Sequence, residues 1–206
     1  MKLDSLPINW FDLLLLVWLG MGIFRGRKRG MSAELLTFLQ WVAIVIASSI
    51  LYAPIGNWLW QSSKVFGLLF SYIVGYAVTA GLVAIIFVLG KRQFGGKLVG
   101  SDAFGKWEYY LGIPAGLLRF TCMMIAILAL LNARFYSEKE IKAERKYQMD
   151  NFDSEFFPTF QAVQAGVFEK SFTGPYIKKY LGFLLIKPTA PGTGEKPYKQ
   201  KEWSAP

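Results

Sequence analysis

The feature that most limits how this chain can fold is residues 24–34, where a cluster of cations separates two long apolar segments. The apolar segments, at about 8–24 and 35–52, are too long and too apolar for a helical hairpin on the surface of a soluble core. Two membrane spans joined by a tight turn explain the pattern, because short loops rich in Lys and Arg stay on the cytoplasmic side. The expected topogenic residues of this turn are Arg25, Arg27, Lys28 and Arg29.

The composition is typical of an integral membrane protein. Hydrophobic residues make up 53% of the 206 residues, the formal net charge is +9 and the mean hydropathy is +0.33. Much of the basic excess lies in two loops that we place in the cytoplasm, the second of which carries Lys91, Arg92, Lys97 and Lys106. Cations in such loops set the orientation of the spans in the membrane. Membrane topology therefore explains the basic charge, and we expect the lipid bilayer as a partner and no nucleic acid.

The sequence contains no histidine and one cysteine, Cys122, which lies within an apolar segment. The common zinc sites need several Cys or His ligands. A Ser-His or Cys-His nucleophile needs a histidine as its base. We therefore expect no metal, no cofactor and no enzymatic activity.

Four apolar segments predict an all-α, polytopic membrane protein with a compact bundle of four transmembrane helices. The spans are placed at about residues 8–24, 31–52, 65–89 and 113–131, in a membrane domain that covers 1–133. We expect Asn9 to cap the first helix, Pro54 and Gly56 to end the second, and the glycine-rich residues 93–112 to form an inner loop. Four crossings with both basic loops inside place both termini outside.

The remaining residues divide into amphipathic and polar parts. Within 134–187, residues 138–147 are charged and are expected to extend the fourth helix into water, and two amphipathic helices follow. These amphipathic helices either fold back on the outer end of the bundle, or lie in the membrane interface or dock a partner. Residues 188–206 combine four prolines with glycines and scattered charges, and we expect them to be disordered.

Small residues recur at helical spacing in the predicted spans. Lipid removes the hydrophobic drive between helices, so a close approach of two helices depends on small side chains. The residues expected to pack helices together are Gly26 and Gly30 after the first span, Gly67, Ser71 and Gly75 in the third, and Gly112 and Gly116 in the fourth. A compact bundle is the main interpretation, and a conduction path lined by these glycines is the alternative.

Three ionisable residues, Asp12, Glu34 and Arg119, lie within the predicted spans. At about 1.5 Å per residue, Glu34 lies roughly 5 Å and Arg119 roughly 9 Å from the inner boundary, so the two can form an ion pair. The alternative is that Arg119 reaches the headgroups alone. Asp12 lies about 6 Å from the outer boundary of a core about 30 Å thick, too far from Arg119. We expect its carboxylate to accept backbone N–H groups, with a proton or ion site as the alternative.

Two motifs resemble the colicin V production protein (CvpA) family. The first is Asp12 followed by Gly26-Arg-Lys-Arg-Gly-Met-Ser-Ala-Glu34-Leu, and it is similar to the family's early Asp, Arg-Gly turn and Glu at the start of the second span. The second is Tyr110-Leu-Gly-Ile-Pro-Ala-Gly-Leu-Leu-Arg119, and it is similar to the family's Leu-Gly-x-x-x-Gly-x-x-Arg/Lys entry into the last span.

The resemblance covers about residues 8–185 and includes a late Ser-x-x-x-Pro segment at Ser171 and Pro175. The chain departs from the family pattern at Glu108 and Tyr109, where Asp-Arg is usual. The resemblance implies a four-span protein of the bacterial inner membrane, associated with colicin V-type toxin production or export and with homeostasis of the cell envelope. Some relatives carry a protease domain on the outer side, which agrees with termini on the periplasmic side.

We expect a non-enzymatic membrane protein that acts through contacts with other envelope proteins or with itself as a homo-oligomer. The alternative is a small transporter or channel for a solute or an ion. Transporters usually contain inverted repeats and helices that are broken at mid-membrane, and the sequence shows neither feature.

Overall fold

The computed structural model of the protein describes residues 8–63, 66–99, 104–152 and 159–191. Its α-helices are α1 (Trp10–Ser62), α2 (Leu68–Val99), α3 (Glu108–Asn132), α4 (Glu138–Phe152), α5 (Phe160–Phe168) and α6 (Gly174–Leu181). Short 3-10 turns cover Gly105–Trp107 and Gly182–Leu184. These described ranges contain no strand, so the all-α prediction is confirmed.

Helix α1 folds back on itself at Gly30. This residue has φ 78° and ψ 169°, a conformation that is essentially confined to glycine. Phe11 and Tyr52 belong to one buried core cluster, although a straight helix would separate residues about 40 positions apart by about 60 Å. α1 therefore consists of two antiparallel parts, which we call the N-terminal arm (10–29) and the C-terminal arm (31–62).

The two arms pack against the other long helices. Gly22 and Gly26 of the N-terminal arm lie against Gly116 and Gly112, so this arm runs antiparallel to α3. The C-terminal arm runs antiparallel to α2 in the same way. Within the described residues, three helices are long and apolar enough to cross a membrane: α1, α2 over Leu68–Gln93, and Gly105–Asn132. Because α1 has two arms, these three helices supply four antiparallel segments.

The prediction that Pro54 and Gly56 break the chain after the second span is wrong. The C-terminal arm continues through both residues to Ser62. Gly56 is buried in a helix contact, where an added Cβ would lie 2.5 Å from the ring of Tyr72. Its small size therefore serves packing rather than chain reversal, and proline is tolerated in helices that pack against neighbours.

The predicted inner loop at 93–112 is also partly helical. α2 continues to Val99, past the predicted end of the third span at 89, and α3 begins at Glu108 rather than near 113. The connection between the two helices is therefore shorter than the glycine content suggested, and its residues 100–103 lie outside the described ranges.

The prediction that the charged segment extends the fourth helix into water is wrong. α3 ends at Asn132, and α4 is a separate helix. The reason lies in backbone pairing with Thr189, whose N–H donates to the Ala133 carbonyl at 2.8 Å and whose carbonyl accepts from the Phe135 N–H at 3.0 Å. Residues 188–191 are therefore ordered, contrary to the prediction for 188–206, and 192–206 lie outside the described residues.

Helices α5 and α6 and the segment after them cover the end of the bundle that contains Asn9. Val167 and Ile186 are 2% and 0% exposed, and they belong to the same core cluster as Phe11. These helices therefore pack against the bundle, which is the first of the alternatives given for them. We call this end the Asn9 end and the opposite one the Gly30 end.

Candidate functional site

The Gly30 end contains a buried ion pair between the C-terminal arm and α3. Glu34 is 0% exposed and Arg119 is 7% exposed, and Arg119 Nη1 donates a hydrogen bond to Glu34 Oε2. Glu34 follows the break at Gly30 by one helical turn, which brings its carboxylate to the level of Arg119. The pairing that the depths predicted is present in the structure.

A second cation joins this pair. Arg29 Nη1 lies 3.5 Å from Glu34 Oε1, and the Arg29 side chain is 48% exposed. Arg119 also lies over the Phe120 ring, with 5.1 Å from its Cζ to the ring centre, which is a favourable cation–π geometry. Among the described residues, Glu34 Oε1 and Arg119 Nε have no hydrogen-bond partner. The cluster is thus incompletely satisfied, and loss of either partner is expected to be costly.

Lys91 extends the polar contacts of this end to α2. Its Nζ donates to Gln40 Oε1 at 2.6 Å and to Thr37 Oγ1 at 3.2 Å, both on the C-terminal arm. The sequence indicated Lys91 only as an inner-loop cation. In the structure it also ties two helices together.

Glu108 closes the break in α1 from the neighbouring helix. Its Oε1 accepts the Ser32 backbone N–H at 2.8 Å, and its Oε2 accepts the Ser32 hydroxyl at 2.9 Å. The first N–H groups of a helix have no partner within the helix, so Glu108 of α3 caps the C-terminal arm. Sequence reasoning treated Glu108 only as a departure from the family pattern. A serine beside the start of an arm was the available signal.

Glycines allow the N-terminal arm and α3 to lie close enough for these contacts. A Cβ on Gly26 would overlap the Gly112 carbonyl, and a Cβ on Gly116 would overlap the Gly22 carbonyl. At Gly30 an added Cβ would lie 2.5 Å from Glu108 Oε1. The predicted packing roles of Gly26, Gly30, Gly112 and Gly116 agree with these positions.

The predicted stripe of small residues on the third span lies in a helix contact at Ser71 and Gly75 but not at Gly67. Ser71 and Gly75 are buried, and a Cβ on Gly75 would lie 2.8 Å from the Tyr52 carbonyl oxygen. Gly67 does not pack a helix. It lies before the first residue of α2, and an added Cβ would meet no atom within 4 Å.

The four expected topogenic cations lie on a helix rather than in a loop, because the N-terminal arm continues past 24 to residue 29. Arg25, Arg27 and Lys28 are exposed. Arg29 differs from them, since it contacts the buried Glu34 carboxylate.

Asp12 lies at the Asn9 end and joins the first helix to the C-terminal segment. Its Oδ2 accepts the Asn9 N–H at 3.0 Å, which completes a capping box, and also the Phe172 N–H at 2.9 Å. Its Oδ1 accepts the Thr173 N–H at 3.0 Å and the Thr173 hydroxyl at 2.7 Å. The bonds to backbone N–H groups agree with the prediction. The contact with Thr173 was missed, because no local signal reports a partner so distant in sequence.

Other side chains hold the same segment in place. Asn9 Nδ2 donates to the Gly166 carbonyl at 3.1 Å, and Asn132 Nδ2 donates to the Ile186 carbonyl at 2.9 Å. The Tyr52 hydroxyl accepts the Lys187 N–H at 3.2 Å. The polar contacts of the Asn9 end therefore run mainly between side chains and backbone groups, whereas those of the Gly30 end include a buried ion pair.

This fold and these contacts define a small polytopic helical membrane protein whose ionisable residues hold its helices together. Residues 11–165, which are most of the chain, match the family described as Colicin V production protein. The chain belongs to the colicin V production protein family, as the resemblance at residues 26–35 and 110–119 indicated. Comparison with curated proteins and with solved structures gives no match.

Proposed function

We propose that this protein supports colicin V-type toxin production or export, or envelope homeostasis, as a non-enzymatic membrane protein that acts through protein contacts. One observation carries the proposal: each of the three predicted intramembrane ionisable residues is engaged in holding one part of the fold to another. Glu34 and Arg119 join the C-terminal arm to α3. Asp12 joins α1 to the turn before α6. Because these three residues have structural roles, we assign the contacts with partner proteins to residues on the surface.

The proposed membrane arrangement has four crossings, one for each arm of α1 and one each for α2 and α3. The Gly30 end faces the cytoplasm and both termini lie on the periplasmic side of the inner membrane. The cations Arg25, Arg27 and Lys28 beside the turn support this orientation.

Reporter insertion tests the arrangement. A reporter that needs an oxidising compartment should be active when fused after Pro206 and inactive when inserted at Gly105, which is exposed in the connection before α3. The reverse pattern of activity would overturn the orientation.

The proposed contact surface is a set of exposed aromatic side chains on the C-terminal elements at the Asn9 end. Its members are Phe160 (78% exposed), Tyr176 (54%), Tyr180 (63%) and Phe183 (74%). Aromatic side chains are enriched among residues that dominate binding energy at protein interfaces. Because Asp12 and Asn9 hold this segment on the bundle, the surface is presented in a fixed position.

A toxin-production assay tests this surface. The double substitution Tyr180→Ser and Phe183→Ser should lower colicin V output in a host that depends on this protein, while the protein still accumulates. Leu82→Ser is the control, since Leu82 is 56% exposed on α2 and lies outside the aromatic surface. If the double variant sustains wild-type output, partner contact at this surface is excluded.

A further inference from the structure

The N-terminal arm carries an open groove of about 700 Å³ beside the Gly30 end. The lining residues of the described chain are Gly20, Met21, Phe24, Arg25, Lys28 and Arg29. Their spacing follows the helical repeat, so they form one stripe along the arm.

The stripe changes from apolar to cationic along its length. Gly20, Met21 and Phe24 form the half towards the middle of the arm, and Arg25 and Lys28 begin the half towards Gly30. Phe24 is 71% exposed, and a Cβ added to Gly20 would meet no atom within 4 Å. The groove is thus an outward surface, away from the glycines that pack on α3. A phospholipid has the same order of parts, with apolar chains followed by a charged headgroup.

Most of the positive charge of the groove is uncompensated. Among the described residues, neither Arg25 nor Lys28 forms an ion pair. Arg29 contacts Glu34, but Glu34 also pairs with Arg119 and is completely buried. One carboxylate therefore serves two guanidinium groups, and the groove keeps a positive charge that favours an anion.

The depth of the groove places that anion at a membrane surface. The apolar part of the arm, residues 10–24, is about 21 Å long, which is shorter than a hydrocarbon core of about 30 Å. Arg25 and Lys28 therefore lie at or just below the headgroup level, and their long side chains reach towards the phosphates. A cation at this depth has little contact with water, so a phosphate group in direct contact stabilises it.

We propose that this groove binds an anionic phospholipid, with an acyl chain along Gly20, Met21 and Phe24 and the phosphate between Arg25 and Lys28. Basic pockets at the membrane surface recognise lipid headgroups in this way. The site is distinct from the aromatic surface at the Asn9 end, and it does not depend on the proposed function.

Lipid titration of the purified full-length protein, followed by native mass spectrometry, tests the site. Dioleoyl-phosphatidylglycerol should bind more tightly than dioleoyl-phosphatidylcholine. The double substitution Arg25→Gln and Lys28→Gln should weaken phosphatidylglycerol binding about thirtyfold at low ionic strength, since each cation near a membrane surface contributes about 1 kcal/mol. The matched control is Arg27→Gln with Lys106→Gln, which removes two exposed cations outside the groove lining and should change binding less than threefold.

Equal losses in the groove variant and the control would show a diffuse charge effect and overturn the site. Equal affinity for phosphatidylcholine would overturn the role of the headgroup. Gly20→Phe should weaken binding by filling the apolar half, where there is open space for a side chain. Inorganic phosphate should not displace the lipid. If it does so as well as a short-chain phosphatidylglycerol, the groove binds free phosphate and the lipid proposal is wrong.

Discussion

Helix α1 carries two carboxylates whose charges are stabilised in different ways, Asp12 at the Asn9 end and Glu34 at the Gly30 end. Asp12 is partly buried and accepts four hydrogen bonds from N–H and O–H groups. Glu34 is completely buried and is held by two guanidinium groups. Asp12 lies in the first turn of α1, where backbone N–H groups have no partner within the helix. At the start of the C-terminal arm, by contrast, the Ser32 N–H is already taken by Glu108, so Glu34 needs cations.

The difference determines what each end loses when a partner is removed. A carboxylate bonded to neutral donors can lose one bond and keep the others, and partial exposure lets water replace it. A buried charge that loses its counter-charge keeps its desolvation cost. The Gly30 end should therefore fail as a unit, and the Asn9 end should loosen locally.

The largest effect is expected from breaking the Glu34–Arg119 pair. Glu34→Gln should cost about 3 kcal/mol, because Arg119 is then left buried without its counter-charge. Arg119→Gln should cost somewhat less, because Arg29 still contacts the Glu34 carboxylate. The double substitution should cost less than the sum of the two single ones. A double-mutant cycle of thermal stability in detergent measures the coupling.

Arg29→Gln is the control for this cycle, because Arg29 contacts the same carboxylate from a half-exposed position. Its loss should cost under about 1 kcal/mol, as for exposed ion pairs. If the losses of Glu34→Gln and Arg119→Gln simply add, the buried pair does not stabilise the protein, and the contrast between the ends disappears.

The next largest effect is expected at the glycine contact that supports the Gly30 end. Gly26→Leu should cost about 1–3 kcal/mol and separate the N-terminal arm from α3, because an added side chain would overlap the Gly112 carbonyl. Gly20→Leu is the matched control on the same arm, with no atom within 4 Å of an added Cβ. Thermal unfolding in detergent measures both. Equal stability of the two variants would place the Gly26 face against lipid.

The ion pair at the Gly30 end was predictable from the sequence for a simple reason. The rise per residue fixes the depth of each charge in a span, and only Glu34 and Arg119 reach one level with opposite signs. A turn between the first two spans was predictable as well, because a cluster of cations is costly inside a membrane-spanning helix. Its position at Gly30 was not predictable, since the turn was expected at the cations themselves, and these lie on the N-terminal arm.

The Asn9 end was predictable only in part. The capping box of Asn9 and Asp12 is local and was expected, whereas the contact of Asp12 with Thr173 joins residues that are distant in sequence. The helix end at Pro54 was mispredicted for a related reason. Local sequence signals such as proline do not report tertiary contacts, and the C-terminal arm packs against α2 beyond Pro54. These contacts keep the arm helical to Ser62.

A moderate and local effect is expected at Asp12. Asp12→Asn should cost about 1–2 kcal/mol, because an amide accepts at one atom only and points donors towards the Phe172 and Asn9 N–H groups. Hydrogen exchange should rise in 160–186 and stay unchanged in α3, as local opening requires.

Thr173→Val is the graded control for Asp12, because it removes only the hydroxyl bond and leaves the three backbone bonds to the carboxylate. It should raise exchange in 160–186 by less than Asp12→Asn does. Faster hydrogen exchange in α3 for either variant would show that the two ends unfold together, which would contradict the local loosening expected at the Asn9 end.

The smallest effect is expected at Ser32, where the two kinds of bonding meet. Ser32→Ala removes the hydroxyl bond to Glu108 Oε2 but keeps the backbone N–H bond to Oε1, so the loss should be about 0.5–1.5 kcal/mol. Glu108→Gln should cost somewhat more, because it weakens both bonds and removes the negative charge from the start of the C-terminal arm. Thermal unfolding in detergent measures the two variants side by side. If Ser32→Ala costs as much as Glu34→Gln, capping rather than ion pairing holds the Gly30 end, because the hydroxyl bond alone would then match the buried charge.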